Sequence, residues 1–193
     1  MTTMISYALF PTTIGECALA WSECGLTGVW FPEATPEATR VRIERRLSAA
    51  TEADPPPKVA EAMARIAGLL ETGRVDLADI DLDLDGIDGF ERRVLEAARG
   101  IAPGATLTYG ELATRAGSPG AAREVGQAMA RNRFPIVVPC HRVLAAGGGF
   151  GGFSAPGGLE SKARLLTIEK AAVGGEPSLF DDLPIAVRPR GSA

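Results

Sequence analysis

The chain has 193 residues, of which 46% are hydrophobic and 23% are charged, a balance typical of a globular protein. No apolar run approaches the roughly 18 residues that span a membrane, and the first residues lack the basic stretch of a secretory signal. The three cysteines, an odd number, argue against a disulfide framework and favour a reducing compartment. We therefore expect a cytoplasmic protein without a membrane segment.

The net charge of −4 conceals an asymmetry along the chain. Residues 1–88 carry a net charge of −8, whereas residues 89–170 carry +5. A basic half can offer a surface to phosphate groups even when the whole chain is acidic. An acidic linker beside an ordinary domain explains the same charges, so charge alone does not decide between the two interpretations.

The first third of the chain predicts strands followed by helices. Apolar runs begin near Ser6, Glu16 and Leu26 and are separated by proline and glycine, a pattern typical of a β-meander. Helices are predicted over residues 37–47 and 58–72, and the second places apolar side chains at spacings of three and four.

A run of six aspartates within residues 76–88 predicts a domain boundary, because like charges pack poorly. The expected organisation is an N-terminal α/β domain with its acidic linker over residues 1–88 and a second domain over residues 89–170. We expect the tail, residues 171–193, to be disordered.

The second domain predicts short helices, the first over residues 90–99. Thr108 and Glu111 form a capping box that opens the next helix, and a third is expected over residues 121–131. Two short helices joined by the glycine-containing turn at residues 117–120 match a helix-turn-helix in outline, although proteins that never bind DNA also contain this pattern.

The third of these helices carries few large side chains. Alanine and glycine occupy most positions, including Gly126, while Arg123 carries a long cation. Small side chains permit a close approach to another surface, although an internal glycine costs about 1 kcal/mol. The pattern fits tight packing in a core, and equally a helix that lies on DNA with one cation projecting into the groove.

The reactive side chains are concentrated at Cys140 and His141, which follow a strand-like run at residues 136–138. His141 is the only histidine of the chain. A nearby base or cationic imidazole can ionise a thiol, and a pKa lowered below ambient pH raises the thiolate fraction about tenfold. A Cys–His hydrolase, an inert buried thiol, or a zinc site with Cys17 and Cys24 are the alternatives.

Residues 139–143, Pro-Cys-His-Arg-Val, resemble the active-site motif of the O6-alkylguanine-DNA alkyltransferases. Further along, a glycine-rich loop at residues 147–158 lacks the Lys-Ser/Thr of a phosphate-binding loop and precedes a helix predicted over residues 159–170. Four more segments resemble parts of the family's sequence, in the same order. Residues 104–113 resemble the segment that leads into its helix-turn-helix, and residues 123–129 resemble its recognition helix. Residues 153–158 resemble its pocket loop, and residues 165–169 resemble its closing helix.

The resemblance implies an α+β protein, with an N-terminal ribonuclease H-like α/β domain followed by a helix-turn-helix (winged-helix-like) domain that carries the chemistry. It implies direct-reversal repair, in which a monomer moves one alkyl group from O6-alkylguanine in double-stranded DNA to its own Cys140, with O4-alkylthymine as a further candidate substrate. No cofactor is implied. Some relatives hold zinc in the N-terminal domain, but this half has no histidine and two cysteines, so we predict no metal. A lesion-binding protein without transfer is the alternative.

The resemblance also implies catalytic roles. Cys140 would accept the alkyl group, and His141 would take the thiol proton through a water. Glu169 would orient and charge the imidazole, and Asn132 would brace the turn that holds the cysteine. Tyr109 would lie near the flipped base and its phosphate, with its phenol able to donate a proton.

The implied DNA contacts are spread over the second domain. Arg123 would fill the space that the flipped nucleotide leaves in the stack, while Gly126 and Ser118 would lie at the minor groove. Ser154 would contact the guanine oxygen through its backbone, and the carbonyls of Cys140 and Val143 would accept from the exocyclic amine.

Two residues depart from the family pattern. Arg133 stands where proline is common after the asparagine, so we expect the Asn132 turn to be held less rigidly. Phe153 stands where some members have tyrosine, which removes a hydroxyl from the pocket wall. In the tail, Leu179 and Phe180 loosely resemble motifs that dock on bacterial sliding clamps, although chance apolar residues in a disordered tail explain them as well.

Overall fold

The computed structural model describes residues 4–171. Its first half is built on a four-stranded sheet with the order β3-β2-β1-β4. Strands β1 (Ser6–Thr12), β2 (Gly15–Ser22) and β3 (Gly25–Trp30) are antiparallel neighbours, whereas the short β4 (Thr51–Glu52) pairs in parallel with β1. The predicted meander is confirmed.

Helices cover both faces of this sheet. Helix α1 (Pro36–Arg46) buries Ile43 against one face, and α2 (Pro57–Thr72) packs its apolar side against the other. The buried side chains of α2 include Met63 and Ile66, which lie on the face that the spacing predicted. Both helix predictions are confirmed.

The acidic segment at residues 76–88 packs well, so the expectation of poor packing is wrong. Leu77 and Ile80 are buried between the aspartates. The amide of Leu26 donates to the carbonyl of Asp81 at 2.9 Å, and the amide of Asp83 donates back to Leu26 at 2.8 Å. The segment therefore covers the open edge of β3, because its apolar residues turn inward while most of its carboxylates remain exposed.

The second half is mostly helical, which makes the whole chain a mixed α+β protein. Its short strands β5 (Leu107–Thr108) and β6 (Val143–Leu144) pair in parallel. The capping box is confirmed: Thr108 accepts from the amide of Glu111, whose carboxylate accepts from the amide of Thr108. The helices of this half match the predicted ones to within two residues and are α3 (Gly89–Arg99), α4 (Tyr109–Arg115), α5 (Ala122–Ala130) and α6 (Gly158–Ile168).

Residues 136–138 do not form the predicted strand. They lie in a tight turn in which Ile136 adopts a φ of +75°, a left-handed conformation that β-branched residues rarely adopt. After the turn, Cys140–Arg142 forms a single turn of 3-10 helix. Cys140 and His141 therefore lie in helical geometry and not on an extended strand.

The two halves meet where α2 and α6 end. Gly73 terminates α2 with a φ of +70°, and a Cβ atom there would lie 2.0 Å from the carbonyl oxygen of Ile168. Within residues 4–171, no helix is long and apolar enough to cross a membrane. The clamp-like residues Leu179 and Phe180 lie outside the described residues.

Candidate active site

A compact loop holds Cys140, and Asn132 bonds to both ends of it. The Asn132 side-chain amide donates to the carbonyl of Val138 at 2.9 Å, while its Oδ1 accepts from the amide of Phe134 at 2.9 Å. The amide of Val138 also donates to the carbonyl of Phe134 at 2.7 Å. This is the geometry that the bracing role of Asn132 requires.

Arg133 ties the same loop to the first half of the chain. Its carbonyl accepts from the amide of Val29 in β3 at 2.9 Å, and its guanidinium donates to the carbonyl of Asp85 at 3.1 Å. The departure from proline therefore brings a side-chain bond to the acidic segment that proline could not form. This contact opposes the loosening that we expected at this position.

Glu169 is the centre of a buried hydrogen-bond network. Its Oε1 lies 2.9 Å from Nε2 of His141 and accepts from Nη2 of Arg142 at 2.7 Å. Its Oε2 accepts from Nε of Arg142 at 2.8 Å and from the amide of Gly104 at 3.2 Å. His141, Arg142 and Glu169 are 0%, 4% and 7% exposed, so the network is shielded from bulk solvent.

The network favours an ionised carboxylate beside a neutral imidazole. Burial raises the pKa of Glu169, but hydrogen bonds from His141 and Arg142 outweigh burial and lower this pKa to about 2. Burial lowers the pKa of His141 and Glu169 raises it, but the charges of Arg142 and Lys162 act with burial, so the pKa lies below its ordinary value. Glu169 therefore favours a charge on the imidazole, and burial opposes this charge in the resting site.

The neutral imidazole has a free basic nitrogen. If Nε2 carries the proton and donates it to Glu169, the lone pair lies on Nδ1. Nδ1 of His141 is buried and has no hydrogen-bond partner among residues 4–171. This nitrogen can accept a proton.

Cys140 rests as a thiol. Burial raises its pKa, against the lowering effects of a hydrogen bond from Asn132 and of the nearby charge of Lys162. The thiolate is therefore not favoured in the resting site. The same contacts become stronger when a thiolate forms, because they favour its charge.

Lys162 and Arg142 are functional candidates that the sequence analysis did not single out. Lys162 is fully buried, and its ammonium donates to the carbonyls of Val143 and Phe150. Burial lowers the pKa of Lys162 to about 8, although the neighbouring Cys140 opposes this effect. The available signal was spacing, because Lys162 lies seven residues before Glu169, on the same inward face of α6.

A cavity of about 440 Å³ borders the thiol and is lined on one side by α5. It brings together four predicted site residues, Tyr109, Gly126, Cys140 and Ser154, with the remaining wall formed by Met129, Ala130, Gly152 and Phe153. Its size lies within the range of small-ligand sites. Gly126 faces the Tyr109 ring across the cavity, and a Cβ atom there would make only an ordinary contact with this ring, at 3.9 Å.

Three predicted DNA contacts do not line this cavity. Arg123 is exposed on α5, and Ser118 is partly exposed in the turn before it. Val143 is fully buried, and its carbonyl accepts from Lys162. The structure therefore separates an outer surface on α4 and α5 from the walls around Cys140.

Comparison with known proteins decides the family. Residues 89–171 match the family model of the 6-O-methylguanine DNA methyltransferase DNA-binding domain. The chain is 36% identical over 178 residues to the methylated-DNA–protein-cysteine methyltransferase of Mycobacterium tuberculosis, which covers 92% of this chain and all of the relative. This chain belongs to that family. The relative from Methanothermobacter thermautotrophicus is 32% identical over 83% of each chain.

Solved structures of methyltransferases in this family share the fold. The crystal structure of Mycobacterium tuberculosis OGT in complex with DNA superposes with a TM-score of 0.67 at 34% identity, over 86% of this chain and 92% of that one. The O6-methylguanine-DNA methyltransferase of Pyrococcus kodakaraensis gives a TM-score of 0.64 at 28% identity, over 86% and 99%. The mixed α+β architecture is thus that of the methyltransferases.

Proposed function

We propose that this chain repairs DNA by direct reversal, moving one alkyl group from the O6 atom of guanine in double-stranded DNA to its own Cys140. The observation that carries this proposal is Cys140 itself, which borders a base-sized cavity and is backed by the buried His141–Glu169 pair. The relatives are named methylated-DNA–protein-cysteine methyltransferases, and this activity requires such a nucleophile.

The transfer begins with ionisation of the thiol. Neutral His141 takes the proton on Nδ1 through a bridging water, and Glu169 stabilises the imidazolium that results. Asn132 and the ammonium of Lys162 stabilise the thiolate. Because these groups are fixed before the reaction, they need no reorganisation when the charge develops.

The thiolate then attacks the alkyl carbon in line with the departing O6. The sulfur–carbon bond forms as the carbon–oxygen bond breaks, and the bonding pair goes to O6. Tyr109 assists by donating a hydrogen bond from its phenol to the base. In the net reaction the thiol proton ends on guanine. The product is a thioether, which water does not cleave, so each molecule reacts once.

Delivery of the base falls to the second half of the chain. Helices α4 and α5 act as the helix-turn-helix. The small side chains of α5, with Gly126 and Ser118, lie against the minor groove. The exposed Arg123 enters the stack in place of the flipped nucleotide. In finer terms we place the fold as a ribonuclease H-like domain followed by a winged-helix-like domain, and we expect a monomer.

Three backbone groups are assigned to recognition of the base: that of Ser154 and the carbonyls of Cys140 and Val143. Ser154 lies on the cavity wall, where its backbone can reach the guanine oxygen. The Val143 carbonyl already accepts from Lys162, and a carbonyl oxygen has a second lone pair for the exocyclic amine. Val143 is buried away from the described cavity wall, so this contact requires the loop after Val143 to shift as the base enters.

Intact-protein mass spectrometry tests the proposal directly. After incubation with duplex DNA that contains O6-methylguanine, the wild type should gain one methyl group, mapped to Cys140 by peptide sequencing. The Cys140→Ala protein should gain none. Cys24→Ala, which removes an exposed thiol, is the matched control and should react like the wild type. Tight binding of the lesion without any mass gain would instead establish the alternative, a lesion-binding protein.

A further inference from the structure

A second cavity lies in the first half of the chain, away from Cys140. It has a volume of about 550 Å³ and is lined by the end of β2, the turn that follows, the first residues of α2 and the acidic segment. All of its lining residues lie within residues 21–81, so the proposed transfer does not use it. Its floor is apolar and consists of side chains that are at most 8% exposed: Trp21, Leu26, Val59, Ala62 and Ile80.

The rim of this cavity is acidic. Four carboxylates line it, against two cations, Lys58 and Arg65. Each cation already forms an ion pair with an aspartate of the acidic segment. The other two carboxylates, those of Glu23 and Glu61, are exposed and form no salt bridge among residues 4–171. A binding partner that suits both parts of the cavity therefore combines apolar side chains for the floor with positive charge for the rim.

The chain itself contains a segment with these two properties. Residues 183–190, Leu-Pro-Ile-Ala-Val-Arg-Pro-Arg, combine apolar side chains with two arginines and have no carboxylate. The acidic residues of the tail, Glu176, Asp181 and Asp182, all precede this segment. Its two prolines restrict the backbone of the undocked chain, so less conformational entropy is lost on docking. Residues 183–190 therefore match both the floor and the rim.

The segment is close enough along the chain to reach the cavity. Helix α2 begins at the cavity and ends beside the end of α6, where Gly73 lies against Ile168. The 16 residues of α2 span about 24 Å. The described residues end at Ala171, and an extended chain from there to Leu183 covers up to about 40 Å. The tail is therefore long enough to follow α2 back to the cavity of the same molecule.

We propose that residues 183–190 dock in this cavity of their own molecule. Their apolar side chains lie on the floor, and their two arginines pair with Glu23 and Glu61. The cavity is thus an intramolecular docking site that joins the tail to the N-terminal half. Residues 183–190 are then an exception to the disorder expected of the tail.

Alkylation of Cys24 by iodoacetamide measures the docking. This thiol is exposed and lines the cavity, so a docked segment shields it from the reagent. Its alkylation rate is followed by peptide mass spectrometry in the full chain, in a chain that ends after Asp182, and in a control chain that ends after Arg190. The alkylation rate of Cys140 in the same samples is the internal standard, because this thiol lies outside the cavity.

Ending the chain after Asp182 should raise the alkylation rate of Cys24 at least about threefold, the factor expected when the segment is docked two thirds of the time. Ending the chain after Arg190 leaves the segment in place and should keep the rate of the full chain. Transfer of methyl to Cys140 should be equal in all three proteins. Equal alkylation rates of Cys24 in the full chain and in the chain that ends after Asp182 overturn the inference.

Charge reversal tests the acidic rim without shortening the chain. Arg188→Glu combined with Arg190→Glu should raise the alkylation rate of Cys24 towards that of the chain ending after Asp182, because the rim repels the new carboxylates. Arg188→Lys combined with Arg190→Lys keeps the charge and should keep the protection. Protection of Cys24 that survives charge reversal overturns the inference. Protection that disappears when the protein is diluted about a hundredfold also overturns it, because docking within one molecule does not depend on concentration.

Discussion

The two halves of the chain differ in where their charged side chains lie. In the first half, the ion pairs Arg40–Glu52 and Arg65–Asp79 lie at the surface, and the core between sheet and helices is apolar. In the second half, Arg142 and Glu169 form an ion pair that is nearly fully buried, and Lys162 is buried beside it on α6.

This difference distinguishes side chains that stabilise the fold from charged side chains that serve the reaction. Burying an ion pair costs desolvation that its attraction often fails to offset, so apolar side chains would stabilise the second half at least as well. Charges fixed in a dry environment do, however, stabilise charge that develops during a reaction. The buried charges are therefore explained by the transfer step, and each can be tested by removal.

The largest effect is expected from Glu169→Gln. This change leaves the guanidinium of Arg142 buried without a counter-charge, so the free energy of unfolding should fall by about 3–5 kcal/mol. The transfer rate should also fall, since no anion is left to stabilise the imidazolium of His141. Urea denaturation and single-turnover kinetics measure the two effects, and a rate equal to that of the wild type would show that the contrast between the halves is structural only.

The second-largest effect is expected from acid, which should remove the contribution of Glu169 to the free energy of unfolding. Its folded pKa, about 2, lies below the ordinary value of 4.5, so its stabilising effect is fully present above the ordinary value and is lost as pH falls through the folded one. This contribution amounts to about 3 kcal/mol. The stability difference between the wild type and Glu169→Gln should therefore shrink as the pH is lowered from 6 towards 2, and a constant difference would contradict the assignment.

A smaller effect is expected from Lys162→Met. Without the ammonium, the pKa of the Cys140 thiol should rise further, and the transfer rate at neutral pH should fall by about tenfold to a hundredfold. The pH–rate profile distinguishes this role from simple support of the loop, because only loss of charge moves the profile to higher pH. Below about pH 8, where Lys162 carries its charge, Lys162→Arg should retain the wild-type profile.

The smallest effect is expected at the surface of the first half. Glu52→Gln removes one of the two carboxylates that pair with Arg40, and the side chains of Arg40 and Glu52 are substantially exposed. Exposed pairs contribute little because water and salt screen them. The urea midpoint and the transfer rate should equal those of the wild type, and a marked loss of either would remove the contrast drawn between the two halves.

Elements governed by neighbouring residues could be predicted from the sequence. The capping box at Thr108 and the apolar stripe of α2 depend on residues a few positions apart, and both were found as expected. Residues 136–138 show the limit. Their apolar, β-branched character favoured a strand, but the Asn132 side chain bonds at both ends of the loop and holds it in a turn.

The site was predictable only in part for the same reason. The resemblance named Cys140, His141, Glu169 and Asn132, which the structure brings together. It did not indicate that Arg142 would neutralise Glu169, because the burial of a charge depends on a partner 27 residues away in the chain. The direction of each pKa shift follows from that burial and could not be read from adjacent residues.

The contact at Gly73 has a consequence for which sequences this fold tolerates. A side chain at this position would need a left-handed backbone and would also overlap the last turn of α6, with a Cβ atom 2.8 Å from the Cα atom of Glu169. A library randomised at position 73 and selected for survival under alkylating agents should therefore return glycine almost exclusively. A position in the half without the nucleophile would then be under selection as strict as that on the residues around Cys140.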